Sequence, residues 1–262
     1  MTENNLILTP RPSPSPVTVS RRGGGVGEGV RPTLDRELQL IQSGHALVAG
    51  IDEAGRGAWA GPVVAAAVIL DPAEVSHLDG VNDSKQLSPR QRGRLYQIII
   101  DHCVTYGVGQ GSVEEIDTIG ILPATRLAMT RAVEALSPPP DALIIDAVRL
   151  PQVNQPQAVF NFADAISLSV AAASILAKVT RDRLMIELDA QYPAYQFARH
   201  KGYGTQIHRA ALQSVGPCQI HRTSFRPIRA LLATAQPPLG PVIPACFQRE
   251  SNGQSAATLD AR

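Results

Sequence analysis

The sequence predicts an α/β protein in which helices pack on a mixed sheet. Short apolar runs rich in β-branched residues, bounded by glycine and proline, are typical of buried strands. Capping signals then mark helix starts between and after these runs. Because strands come first and helices mixed with strands follow, a mixed sheet with helices packed on it is favoured. The predicted strands cover residues 46–51, 63–70, 104–110 and 142–145.

Three stretches carry the helix signals. Ser88-Pro89 combines an N-cap with proline at the first helical position, which predicts a helix to about residue 101. Ser112 and Glu115 have the spacing of a capping box, so a short helix is expected there, followed by a longer one over 123–136. The stretch 167–188 contains AAASILAKV and has the highest helix propensity in the chain.

The chain has 262 residues, of which 44% are hydrophobic, enough for one large domain or two small ones. Residues 1–44 are rich in Pro, Ser, Thr and Gly without the period of a helix or strand, and 233–262 are similar. This composition predicts disordered extensions on either side of a single domain at 45–232.

Composition also predicts the compartment. The chain has no apolar run of membrane-spanning length and no secretory leader. Three cysteines without CxxC spacing, at positions 103, 218 and 246, are expected to be free thiols in a reducing environment. An organelle transit peptide is disfavoured by Glu3, Glu28 and the lack of an amphipathic pattern. We therefore expect a soluble, cytoplasmic protein without a membrane partner.

The net charge of +1 hides an uneven distribution. Residues 190–229 contain no Asp or Glu, but they contain six arginines and lysines interleaved with tyrosine and phenylalanine. A basic segment with aromatic residues suits nucleic acid, which makes nucleic acid the first partner to test. A solvated basic face is the open alternative.

Four acidic residues stand where an ordinary fold gains little from them. Asp52 and Glu53 end the first predicted strand in GIDEAGRG, Asp146 ends ALIID, and Asp164 comes just before the AAASILAKV helix. Strand ends and helix starts build sites in α/β sheets, and converging carboxylates need cations. Oxygen ligands without nearby His or Cys favour Mg²⁺ or Mn²⁺. The alternative for Asp164 is a helix-capping role, and any one of the four acids taken alone fits a structural role better.

GRGAWAG offers a rival interpretation as a nucleotide-binding glycine loop. Its glycines at 55, 57 and 61 miss the G-x-G-x-x-G spacing by one residue. The segment after them, VVAAAVIL, fits a strand better than the helix that would receive a pyrophosphate. Dinucleotide binding is therefore disfavoured.

Six segments in order resemble the ribonuclease HII family, the type 2 RNases H of bacteria. They are GIDEAGRG with AGPVVAAAVIL, DSKQLS, DALIID, SLSVAAASILAKVTRD, YPAYQFARHKGYGT, and IHRAAL with GPCQIHRTSF. The resemblance implies an RNase H-like fold, a mixed five-stranded sheet flanked by helices with a C-terminal helical region. It also implies cleavage of the RNA strand of RNA/DNA hybrids and incision 5′ of single ribonucleotides in duplex DNA, for ribonucleotide and primer removal during replication and repair.

The family's site residues fall on matching positions of this chain. The resemblance implies catalytic, metal-binding carboxylates at Asp52, Glu53, Asp146 and Asp164. It places reading of the 2′-hydroxyl on Gly55, Arg56 and Gly57, and packing on the ribonucleotide on Tyr203. Lys85, Lys178 and Lys201 are expected at backbone phosphates.

Phosphodiester hydrolysis by such a site uses two Mg²⁺ or Mn²⁺ ions about 4 Å apart. We expect Asp52 to bridge them, and the resemblance implies 3′-hydroxyl and 5′-phosphate products. His200, His208 and His221 are expected to contact phosphate or to be structural, and none is predicted to be catalytic.

The chain departs from the family pattern at several positions. Ala58-Trp59 replaces Pro-Leu, and Ala147, Ala163 and Gln196 replace common glycines. The alanines raise the question of how Asp146 and Asp164 are positioned.

Two other functions remain open. One is a non-catalytic hybrid-binding module, and the other is a metal-dependent nuclease of different specificity. A monomer is expected, and no residue of the sequence supports a sliding clamp as a partner.

Overall fold

Residues 31–234, which a computed structural model describes, fold around a five-stranded sheet of order β3-β2-β1-β4-β5. β1 pairs antiparallel with β2, and β2 antiparallel with β3, whereas β1 pairs parallel with β4, and β4 parallel with β5. The predicted mixed five-stranded sheet is therefore confirmed. Its strands are β1 Val48–Ala54, β2 Val63–Leu70, β3 Cys103–Gly111, β4 Ala142–Asp146 and β5 Gln157–Phe160.

Helices cover both faces of the sheet and form the predicted C-terminal helical region. Ser88 and Ser112 make the predicted capping boxes with Gln91 and Glu115, and Ser167 caps the long helix by accepting from the Val170 amide. The helices are α1 Asp35–Gln42, α2 Pro89–His102, α3 Val113–Ile119, α4 Ile121–Glu134, α5 Leu168–Gln191, α6 Phe197–His200, α7 Gln206–Val215 and α8 Arg226–Thr234.

The N-terminal half of α5 crosses the sheet at close range. A Cβ on Gly50 of β1 would lie 2.2 Å from the Ser169 carbonyl carbon, so only glycine allows this approach. Residues 168–177 of α5 are all buried. This packing fixes the start of α5, and the turn before it, against β1.

β1 is longer than the sequence indicates. Its pairing with β2 continues to Ala54↔Val64, so Asp52 and Glu53 lie within the strand and not after it. Antiparallel hydrogen bonds to β2 extend the strand beyond its apolar run. Hydrophobicity alone therefore predicts the end of the strand too early.

Two elements were not identified from the residues. β5 has only four residues, all of them half-buried, and such a short strand carries little periodic signal. α1 contradicts the prediction that residues 1–44 lack regular structure: its buried Glu37 bonds the start of α5, and Leu40 and Ile41 pack against Val48. Tertiary contacts, rather than propensity, stabilise an eight-residue helix.

The other parts of the predicted extensions, residues 1–30 and 235–262, lie outside the described residues. Within 31–234, none of the helices combines the length and apolarity needed to cross a bilayer.

Candidate active site

The pairing register brings the first carboxylates together. β1 and β4 run parallel with Ile51 opposite Ile145, so Asp52, within β1, lies beside Asp146, the last residue of β4. Asp164 lies in a single 3₁₀ turn, Ala163–Ala165, just before α5. It is not the cap of that helix, because Ser167 fills that position.

A cleft of about 230 Å³ opens at this edge of the sheet. It collects nine of the eleven residues that the sequence singles out. Ala54 and Ser84 complete its lining, which otherwise consists of Asp52, Glu53, Gly55, Arg56, Gly57, Lys85, Asp146, Lys178 and Tyr203.

Asp164 joins this group through Lys85. The Lys85 ammonium lies 3.5 Å from an Asp164 carboxylate oxygen. Burial works against the charged lysine, but the surrounding carboxylates, led by Asp164 and Asp83, raise the pKa of Lys85.

The carboxylates are held in an environment that disfavours their ionised forms. Asp52 is 5% exposed, and burial followed by the charges of Glu53 and Asp146 raises its pKa well above the usual range. Burial also raises the pKa of Glu53, against the opposing effect of Arg56. Burial and the charge of Asp83 raise the pKa of Asp164. Such a cluster is stabilised by added positive charge.

The donor set fits a hard divalent cation. All the converging ligand atoms are carboxylate oxygens, and Oε2 of Glu53 is buried without a hydrogen-bond partner among the described residues. Arg56, 3.1 Å from Glu53 Oε1, and Lys85 are the cations that lie against the group. Mg²⁺ and Mn²⁺ prefer such oxygen ligands.

Asp146 is oriented by the turn that carries Asp164. Its Oδ1 accepts a hydrogen bond of 2.9 Å from the Ala163 amide, and the Ala147 amide bonds Phe160 of β5. Ala147 has φ +54° whereas Ala163 is not left-handed, so of these two alanines only Ala147 occupies a conformation that favours glycine.

The two glycines of GRG differ in their surroundings: Gly55 is crowded, whereas Gly57 borders open space. Gly55 has φ +94°, and a Cβ there would lie 1.9 Å from Nε of Arg181. A Cβ on Gly57 would meet nothing within 4 Å, so this side of the loop is open to the cleft. Among the described residues, the amides of Arg56 and Gly57 have no hydrogen-bond acceptor.

Tyr203 and two of the three lysines lie at the cleft. The Lys178 ammonium is 5.7 Å from the Tyr203 ring centroid and also bonds Asp182 at 2.7 Å. Lys201 does not line the cleft, because its ammonium donates to the Ala198 carbonyl. Burial lowers the pKa of Lys201.

Two buried arginines that are not among the site residues predicted from the sequence support the cleft. Arg181 donates to the carbonyl groups of Ala60, Pro62 and Lys201, and its guanidinium lies 5.4 Å from the Tyr203 ring. Arg222 donates to Arg56 and Gly61. Both side chains therefore connect the loop after β1 with the C-terminal region.

A signal for Arg181 is present in the sequence. It lies four residues after Ala177 and four before Met185, and all three are fully buried on one face of α5. An arginine on an apolar helix face predicts a buried polar role. The sequence offers no comparable pattern around Arg222.

Trp59, at the departure from the family pattern, adds a third connection. Its amide donates to Gly202, and its ring fills the space where Gly204 would carry a Cβ, 2.2 Å away. Arg209 stacks over the ring at 5.2 Å. The tryptophan thus holds the GRG loop against the segment that carries Tyr203.

Three buried histidines lie together behind Tyr203: His208 and His221 are hydrogen-bonded, and the His200 ring stacks on that of His208 with centroids 4.5 Å apart. The Cys218 amide donates to His221 Nδ1, the Nε2 atoms of His221 and His208 are 3.0 Å apart, and His208 Nδ1 is 3.0 Å from the Tyr203 carbonyl. We assign the protons to His221 Nε2 and His208 Nδ1, because these tautomers give each of the three contacts one donor and one acceptor. Burial lowers the pKa of both rings to about 4. Both rings are buried and bonded within the protein, which agrees with the structural one of the two expectations from the sequence.

Residues 49–228 match the family model described as ribonuclease HII. The chain belongs to the ribonuclease HII family. It is 56% identical over 209 residues to ribonuclease HII of Chloroflexus aurantiacus, covering 78% of this chain and 99% of the relative. It is accordingly an RNase H endonuclease, a ribonuclease of RNA/DNA hybrids.

Solved structures of ribonuclease HII proteins agree with the fold. Ribonuclease H2 from Pyrococcus horikoshii OT3 superposes with a TM-score of 0.61 at 29% identity, over 71% of this chain and 96% of that one. RNase HII in the PCNA:RNase HII complex from Archaeoglobus fulgidus has a TM-score of 0.59 at 28% identity, over 69% and 95% of the two chains.

Proposed function

We propose that this member of the ribonuclease HII family also incises on the 5′ side of single ribonucleotides embedded in duplex DNA, leaving 3′-hydroxyl and 5′-phosphate ends. The proposal rests on two features that lie side by side in one cleft. Asp52, Glu53 and Asp146 converge there, and the open face of the GRG loop lies directly beside them. Recognition of a single sugar and cleavage next to it need such adjacency.

Asp52, Glu53, Asp146 and Asp164 would hold the divalent ions, Mg²⁺ or Mn²⁺. Their oxygen-only donor set, the burial of Asp52 and Asp164, and the unpartnered Oε2 of Glu53 support this assignment. When bound, two such ions neutralise charge on the phosphate and lower the pKa of water. The protein's own contribution is orientation: the Ala163 amide holds Asp146, and the Glu53 amide holds Asp52 at 2.7 Å.

The GRG loop and Tyr203 would select the ribonucleotide. The 2′-hydroxyl is the group that distinguishes RNA from DNA, and it both donates and accepts hydrogen bonds. The free amides of Arg56 and Gly57 can donate to it, because no Cβ at Gly57 blocks the approach. Tyr203, backed by Arg181, offers a flat surface to the neighbouring sugar.

Lys85 and Lys178 would bind backbone phosphates at the rim of the cleft. Both line it, and neither reads base identity from that position. Lys201 stays a weaker candidate, since its ammonium is engaged by Ala198. Binding through the backbone and the 2′-hydroxyl suits an enzyme that removes ribonucleotides and RNA primers regardless of sequence during replication and repair.

The compartment, the oligomeric state and the protein partner are also proposals. We propose a cytoplasmic monomer. The Archaeoglobus fulgidus relative was solved in complex with PCNA, which supports a sliding clamp as a candidate partner. Co-elution of the full chain with its clamp in gel filtration would test this.

A single-turnover assay on three labelled duplexes tests the activity. The substrates are an RNA/DNA hybrid, a DNA duplex with one ribonucleotide, and the same duplex with deoxyribose throughout. With Mg²⁺ or Mn²⁺, we expect cleavage of the hybrid and a nick on the 5′ side of the ribonucleotide, both abolished by Asp52→Asn. The all-DNA duplex stays intact.

Each alternative has its own outcome. Hybrid cleavage without a nick at the single ribonucleotide contradicts the incision proposal. A nick undiminished in the Asp52→Asn variant contradicts the site. Comparable cleavage of the all-DNA duplex indicates a nuclease of different specificity, and binding in EDTA without cleavage in Mg²⁺ indicates a binding module.

A further inference from the structure

A second group of metal-ligating side chains lies at the opposite end of the sheet. Glu74, His77 and His102 place one carboxylate oxygen and two ring nitrogens within 4.8 Å of one another. Glu74 directly precedes a 3₁₀ turn, Val75–Leu78, and His102 is the last residue of α2. His102 runs into β3 at Cys103, which pairs with Leu70, whereas the cleft lies near Ala54↔Val64. The sheet separates the two sites.

We propose that Glu74, His77 and His102 bind a divalent transition-metal ion of the Zn²⁺, Ni²⁺ or Cu²⁺ class. His102 Nδ1 is 3.0 Å and His77 Nε2 is 3.5 Å from the same oxygen, Oε2 of Glu74. Ligands about 2.0–2.2 Å from a tetrahedral metal are separated by roughly 3.3–3.6 Å, so small side-chain rotations bring these spacings to those around a shared ion.

The backbone around the three ligands is anchored. The Glu74 amide donates to Asp71, and the His77 amide donates to Glu74. Leu78, at the end of the turn, and Ile99, on the last turns of α2, are buried in the same hydrophobic cluster. The ligands therefore project from two elements that are packed together, which lowers the ordering cost of binding.

The side chains are accessible and free to adjust. They are 31–54% exposed, and the two imidazole rings are stacked with centroids 4.1 Å apart. Binding rotates one ring out of this stack, so that both nitrogen lone pairs point at the ion. The ring nitrogen that faces the carboxylate gives up its hydrogen, and water fills the remaining position.

The chemistry of this group differs from that of the cleft. Two imidazoles and one carboxylate suit borderline transition ions, whereas the all-oxygen cleft suits Mg²⁺ and Mn²⁺. Of the six histidines, three are buried behind Tyr203 and His45 stands apart from the group. Among the described residues, His77 and His102 are the two that converge with a carboxylate.

Isothermal titration of the full, chelator-treated chain with NiCl₂ in excess Mg²⁺ tests the proposal. Magnesium occupies carboxylate sites and leaves imidazole sites to nickel. We expect one equivalent of Ni²⁺ to bind to the wild type. His77→Ala and His102→Ala should each weaken binding by roughly tenfold or more, and Glu74→Gln should weaken it too. His45→Ala is the matched control and should bind like the wild type.

Electron paramagnetic resonance of bound Cu²⁺ supplies an independent readout. Hyperfine splitting from two nitrogens is expected in the wild type and is lost in the His77→Ala, His102→Ala double variant. Circular dichroism in chelator should show both proteins folded, and both should cleave the RNA/DNA hybrid equally with Mg²⁺. Equal Ni²⁺ affinity in wild type and double variant, or Ni²⁺ binding that Mg²⁺ displaces, would overturn the proposal.

Discussion

Four described residues other than glycine have left-handed backbone conformations, namely Ala147, Phe162, Gln196 and Lys201. Two of them are positions at which the chain departs from the family pattern. Ala147, directly after Asp146, has φ +54°, and Gln196, before α6, has φ +59°. Both positions are glycine in the common family pattern. At each of them, this chain therefore places a side chain on a backbone conformation that glycine adopts more easily. A left-handed conformation costs a non-glycine residue about 1–2 kcal/mol. At Ala147 this strain lies beside a proposed metal ligand.

Ala147→Gly should therefore stabilise the protein. Relief of the left-handed strain exceeds the roughly 0.5–1 kcal/mol that glycine costs through the freedom of the unfolded chain. We expect the free energy of unfolding in urea to rise by up to about 1 kcal/mol. Ala73→Gly is the control, since Ala73 is exposed and has no positive φ. It should lower stability by about 0.5–1 kcal/mol, and equal losses in the two variants would refute the strain argument.

At the scale of elements, α5 connects the parts of the site through Arg181. This arginine is fully buried and donates to carbonyl groups on two separate loops, at Ala60, Pro62 and Lys201. The planar guanidinium reaches all three at once, which a lysine ammonium on a flexible stem does not reproduce. The geometry of the GRG loop and of Tyr203 thus depends on one side chain of α5.

Arg181→Lys should lower the free energy of unfolding by about 2–3 kcal/mol, because buried carbonyl groups lose their donors. Arg183→Lys, on the same helix, is the matched control. Arg183 is exposed and stacks on Tyr96 at 4.4 Å, so a change within about 0.5 kcal/mol is expected. Chemical denaturation of both variants gives the comparison, and similar losses for the two would show that burial of Arg181 is unimportant.

The N-terminal helix α1 is connected to the site through Glu37. Its Oε1 accepts three hydrogen bonds, one from the Ser167 hydroxyl and two from the hydroxyl and amide of Ser169. These serines follow Asp164 by three and five residues. Glu37→Ala leaves these buried donors unpaired, so we expect a loss of about 2–3 kcal/mol in urea unfolding and slower hybrid cleavage. Asp35→Ala, in the same turn but exposed, should change neither quantity. If Glu37→Ala leaves the free energy of unfolding unchanged, the contacts of α1 do not stabilise the domain.

For the whole molecule, the sequence predicts what depends on local pattern. The buried strands and the capping boxes at Ser88 and Ser112 carry local signals, and the structure contains them. The four acids also carry a local signal, and three of them line one cleft. β5 and α1 carry none, since a short half-buried strand and a short helix gain their stability from neighbours. The position of Lys201 likewise depends on the left-handed turn that ends α6, which residue type does not indicate.

The buried histidines predict how the C-terminal region responds to acid. Burial lowers the pKa of His208 and His221 from 6.5 to about 4, so between these values the unfolded chain binds more protons than the folded one. Their contribution to stability is complete above pH 6.5 and is lost as the pH falls towards 4. Hydrogen exchange at pH 7 and 5, corrected for intrinsic rates, should show α7 losing protection relative to α2. Equal changes in the two helices would contradict this.

The carboxylates act on stability in the opposite direction. Because burial and mutual repulsion raise the pKa of Asp52 in the folded state, its ionised form is destabilising at neutral pH. In chelator, Asp52→Asn should raise the melting temperature by a few degrees, and in Mg²⁺ the same variant should not cleave the RNA/DNA hybrid. Asp79→Asn, a control on the surface, should leave the melting temperature unchanged. Mn²⁺ should raise the melting temperature of the wild type more than that of Asp52→Asn, because the ion compensates a charge that the variant lacks. If the variant melts below the wild type in chelator, this prediction is wrong. The hydrogen bond from the Glu53 amide to Asp52 would then stabilise the fold more than the buried charge of Asp52 destabilises it.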